Sequence, residues 1–138
     1  MANAASFPKT AACACGALTV TVAAPTARIH ACTCLDCQRM SGGPMSCTAF
    51  FPNAAVTISG AYTAWRRLAD SGRWVQSHFC PTCGSRLFMT MEAFPELTGV
   101  AVGCFADPEF AGPAALYWTA RRHAWLPVPE GVKVFEQQ

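Results

Sequence analysis

The sequence predicts a small, mainly β domain stapled by zinc. Three observations predict it. Short stretches alternate apolar and polar residues with the period of two that a half-buried strand requires. Ten prolines and ten glycines break the chain into short pieces and leave little room for long helices. Seven of the nine cysteines fall in tight clusters, which burial of small apolar side chains alone does not produce.

Leu18–Val22 reads as one strand, Ser46–Phe51 and Ala55–Ile58 as two more on either side of Pro52-Asn53. Tyr62–Leu68 and Trp74–Phe79 form a predicted pair joined by the turn Asp70-Ser71-Gly72, and Arg86–Met91 and Gly99–Phe105 a second pair. Val132–Phe135 is a short terminal strand. Leu35–Met40 has room for one helical turn.

The 138 residues suit one domain, 1–138, with no repeat and no linker to cut it. Hydrophobic residues make up 52% and charged residues 13%, which supplies a core and excludes a disordered chain. The net charge is +2, and only Arg66-Arg67 and Arg121-Arg122 are adjacent basic pairs, so nucleic acid is not an expected partner. No apolar run approaches the roughly 18–20 residues that span a bilayer. Met1–Lys9 lacks the basic and apolar regions of a secretory signal, which makes the cytoplasm the expected location. The oligomeric state is not readable.

An odd cysteine count in a chain without a secretory signal argues against a disulfide framework and for metal thiolates. The clusters are Cys13-Ala-Cys15-Gly16, Cys32-Thr-Cys34-Leu-Asp-Cys37 and Cys80-Pro-Thr-Cys83-Gly84. Short spacers let two sulfurs face one ion, and a following glycine lets backbone amides approach them. Seven cysteines divide as four plus three, a closed tetrahedral set and a set with one open position. Spacing alone does not say which cysteines share an ion. Cys47 and Cys104 sit in apolar runs and read as small buried hydrophobes.

These clusters, with Gln38-Arg39 and Ser41-Gly42 after the second and Phe79 and Ser85 flanking the third, resemble the glutathione-dependent formaldehyde-activating enzyme family, which includes the centromere protein V relatives. Val102–Pro108, Arg121–Trp125 and Pro129-Glu-Gly131 extend the resemblance over about residues 11–136. It implies a zinc-clasped β-tent of short antiparallel sheets. It also implies two zinc ions: Cys13, Cys15, Cys80 and Cys83 would form the structural site, and Cys32, Cys34 and Cys37 the open one. The implied activity is that of a carbon–sulfur lyase joining a small thiol such as glutathione to formaldehyde. A non-catalytic zinc module that binds a thiol or a protein is the alternative. The family commonly has histidines at the positions of Thr33 and within Ala115–Trp118, and this chain does not.

Three thiolates on one ion leave net negative charge and call for a basic neighbour. Arg39, two residues past Cys37, is the nearest in sequence and the candidate catalytic cation. His123 is the candidate proton carrier. Arg121 and Arg122 could grip substrate carboxylates beside Trp125. Asp36 reads as a capping residue, and His30 and His78 as strand histidines. Trp65, Trp74, Trp118 and Trp125 read as core or pocket wall, since no basic stripe accompanies them.

Overall fold

A computed structural model describes residues 7–137; of the stretch read for a targeting signal, residues 1–6 lie outside it. The fold is mainly β. Strands β1 (Lys9–Ala12), β2 (Thr19–Val22) and β5 (Val56–Ser59) make a three-stranded antiparallel sheet in the order β1-β2-β5. The other strands are β3 (Ile29–Cys32), β4 (Ser46–Pro52), β6 (Thr63–Leu68), β7 (Trp74–Phe79), β8 (Arg86–Met91), β9 (Leu97–Ala101), β10 (Ala115–Tyr117) and β11 (Lys133–Val134). They form an eight-stranded sheet in the order β11-β10-β3-β4-β9-β8-β7-β6.

The alternation seen in the sequence becomes burial. Along β2, Val20 and Val22 are fully buried while Thr19 and Thr21 are not. With Leu18 they pack in one core with Phe51, Leu87 and Val100 of the large sheet. Each such side chain contributes about 1.5–3 kcal/mol. Cys13 and Cys80 belong to that same core, so two members of the first cysteine cluster are built into it.

Register divides the large sheet into two faces. Ile29 pairs with Ala49, Ala49 with Val100 and Val100 with Phe88, which makes the core face. The other face carries Cys32 opposite Ser46 and Tyr117, and His30 opposite Thr48. On that face Gly99 leaves room for its neighbours: a Cβ there would come within 2.7 Å of Thr48 Cγ2 and 2.8 Å of Met89 Cγ.

Three strands were not legible in advance. β1, β3 and β10 are three or four residues long and, unlike the equally short β2, carry no strict apolar–polar alternation. β10 runs parallel to β3 and to β11, a pairing across a long connection that local pattern cannot reveal. The expected strand Gly99–Phe105 stops at Ala101. Val102–Phe105 is instead a turn of 3-10 helix, with Ala106 at φ 50°. The turn drives Phe105 back into the core, stacked on Phe110 at 4.5 Å.

His78 is buried, stacked on Phe88 at 4.3 Å, with its Nδ1 unpartnered. Burial pushes its pKa below the ordinary 6.5. A depressed imidazole pKa stabilises the fold fully above the unfolded value, and that stability is lost as pH falls through the folded value. Denaturation at pH 7.5 and pH 5 should therefore show a smaller acid-side loss in His78→Phe than in the natural chain.

Candidate metal centres

The first centre joins two distant hairpin ends. Cys13 and Cys15 follow β1, and Cys80 and Cys83 follow β7. Cys13 Sγ lies 3.6 Å from Cys15 Sγ, which lies 3.7 Å from Cys80 Sγ. Four sulfurs around a tetrahedral ion with bonds of about 2.3 Å would sit about 3.8 Å apart. All four ligand atoms fall within 4.8 Å of one another, so the donor set fits a metal ion.

Backbone amides are already aimed at these sulfurs. The Leu18 N–H donates to Cys13 Sγ at 3.2 Å, and the Thr82 N–H to Cys80 Sγ at 3.4 Å. Gly16 and Gly84 adopt φ of 81° and 77°, the left-handed geometry that glycine adopts without strain. The Leu18 amide lowers the Cys13 pKa, and the Ser85 hydroxyl, 3.3 Å from Cys83 Sγ, brings that thiol to about 5. Ser85 also accepts from the Ala14 N–H at 3.0 Å and so ties the two halves together.

The second centre is open. Cys32 ends β3, and Cys34 caps α1 (Leu35–Ser41) by accepting the Cys37 N–H at 3.3 Å. The three sulfurs lie within 4.8 Å of one another, and no fourth ligand joins them among the described residues. Hydrogen bonds from Cys32 and Cys37 hold the Cys34 thiol well below its usual range, and Arg67 adds to this. The paired Cys32 thiol is pushed far up beside it. The cluster thus concentrates thiolate charge where a cation can bind.

A cavity of about 420 Å³ is lined by neighbours of both centres, though by none of their seven cysteines. Ser46, which hydrogen-bonds Cys37, lines it, together with Ser85, Arg86 and Cys47. Burial depresses the Arg86 pKa, and the Cys37 thiolate opposes that shift. Cys47 and Cys104 are only partly buried, packed against the core, and burial raises both thiols.

The other expected residues are dispersed. Arg39 is exposed on α1 and has no ion pair among the described residues. Asp36 instead pairs with Arg67 at 3.3 Å. Gln38 donates at 2.9 Å to both Thr33 O and Arg121 O, which brings the segment carrying Arg121, Arg122 and His123 against α1. Arg121, His123 and Trp125 are exposed, and Arg122 donates to His123 O and Leu126 O within its own loop. Thr33 is fully buried and donates to Trp118 O at 2.7 Å. Sequence reading missed Arg86, Arg67 and Ser46. Only the contiguity of Arg86 with the third cluster pointed to one of them.

A sheet fold clasped by one closed and one open cysteine set defines a protein able to hold two metal ions. The chain belongs to the glutathione-dependent formaldehyde-activating enzyme family, whose sequence model matches residues 8–121. A crystal structure of a Rhodobacter sphaeroides protein from a structural genomics programme is similar. It shares 24% identity and a TM-score of 0.57, over 75% of this chain and 91% of that one. At that identity the likeness shows the fold alone. No helix among the described residues is long and apolar enough to cross a membrane.

Proposed function

We propose that this protein is a zinc-dependent carbon–sulfur lyase that makes or cleaves the adduct of a small thiol, such as glutathione, with formaldehyde or another small aldehyde. The observation that supports it most is the open three-cysteine set beside a cavity. Zinc at that set would lower the pKa of a substrate thiol, so that thiolate is available at neutral pH.

The residues of the chain do the rest. Cys32, Cys34 and Cys37 would hold the ion, and three protein ligands would leave room on it for the substrate. The adjoining cavity receives the thiol's body. In the forward direction the sulfur lone pair forms the C–S bond, the carbonyl π pair moves to oxygen, and that oxygen takes one proton. The reverse direction breaks the same bond and returns the proton. In this proposal His123 carries that proton and Arg39 is the outer positive charge, since Gln38 joins their two segments. Arg121, Arg122 and Trp125, on the same segment and outside the cavity lining, would contact only the part of a larger substrate that projects from the cavity.

A second reading is a zinc module that binds a thiol without turnover. The burial of Thr33 favours it, because a position where relatives carry histidine serves here as a latch to Trp118 O. Exchange of formaldehyde between free and thiol-bound forms, followed by NMR with zinc-loaded protein, separates the two. Acceleration over the spontaneous rate is expected. No acceleration with any thiol of a panel would overturn the enzymatic reading.

A further inference from the structure

Arg86 is the one cavity-lining residue with a full charge. Its Nε donates to Ser77 Oγ at 2.9 Å, and its Nη2 contacts Met89 Sδ at 3.4 Å. A guanidinium has five N–H donors. Most of its hydrogen-bonding capacity is therefore unspent. No carboxylate reaches it: the ion pairs among the described residues are Lys9–Asp107 and Arg67–Asp36. The negative groups that face it are the thiolates of Cys37 and Cys104, which do not use its free N–H donors as a carboxylate would. A planar fork of donors at a cavity wall matches a carboxylate.

We infer that Arg86 binds a carboxylate of the ligand, so that this protein selects acidic thiols over neutral ones. The inference rests on the thiol-binding reading above and deepens it. Ser46, which hydrogen-bonds Cys37, and Arg86 both line the cavity. In this assignment a small ligand in the cavity would turn its sulfur toward Cys37, past Ser46, and its carboxylate to the guanidinium. Ser85, on the same wall, is committed to Ala14 and Cys83, which leaves the anion to Arg86. A purely structural Arg86, balancing the thiolates, would support both clusters without regard to ligand charge.

The test is calorimetric binding of 3-mercaptopropionate and its neutral amide, 3-mercaptopropionamide, to the natural zinc-loaded chain, which needs no variant. A charge-assisted pair predicts that the acid binds at least ~10-fold more tightly. The preference should vanish in Arg86→Met and be partly kept in Arg86→Lys. Equal binding of acid and amide would overturn the assignment and leave the thiol reading standing. If neither thiol binds while propionate binds and is lost in Arg86→Met, the anion site stands and the thiol reading falls. If nothing binds, both fall.

Discussion

Replacing Cys83 with serine is expected to abolish the folded state. The four-cysteine centre joins the end of β1 to the end of β7, with Cys15 and Cys80 65 positions apart in sequence. Closing so long a loop costs chain entropy that the metal must offset. Cys13 and Cys80 sit within the hydrophobic core, so losing the ion there disturbs the packing of Leu18 and Leu87 as well. Structural zinc sites carry about 10–16 kcal/mol of apparent binding free energy. A domain of this size has a net stability of roughly 5–15 kcal/mol. Removing one ligand thus consumes most or all of the margin. Circular dichroism of Cys83→Ser should show no cooperative thermal transition, and a strong chelator should do the same to the natural protein. A variant that melts within a few degrees of the natural chain would show that the centre is not a staple.

Replacing Cys37 with serine is expected to leave the fold and remove the function. α1 buries none of its residues, and Cys32 lies at the end of its strand, away from the core face. The melting temperature should therefore move by only a few degrees, since no core side chain loses its contacts. Losing a ligand should cost at least the ~10–100-fold in metal affinity or activity that changes around metal ligands typically bring. Cys37→Ser should accordingly keep its closed-site ion, lose the open-site ion, and lose acceleration of thiol–formaldehyde exchange by about 100-fold. Full turnover in this variant would place the chemistry elsewhere.

The three cysteine clusters were legible in the sequence, but spacing did not tell which of them share a site, since Cys15 and Cys80 meet only through the fold. The cysteines announce themselves because their spacing is local: CxC and CxxC can be read from a few residues. β2 and the β6–β7 hairpin were legible for the same reason, since alternation and a turn are local signals. Arg86 and Ser46 were not. Each is unremarkable beside its sequence neighbours, and they meet at one cavity only because the large sheet carries β8 and β4 on either side of β9. Arg39 was nominated by proximity in sequence to Cys37. The helix sets that side chain in solvent, while Arg67, on another strand, reaches Asp36. Thr33 likewise looked like a vacant position inside the second cluster. Its hydroxyl ties β3 to the segment after β10, a parallel pairing that no local pattern discloses.

Zinc per chain, measured by elemental analysis on protein purified without chelator, tests the central claim most directly. The account predicts two zinc ions in the natural chain and one in Cys37→Ser. A folded chain carrying no zinc would contradict it.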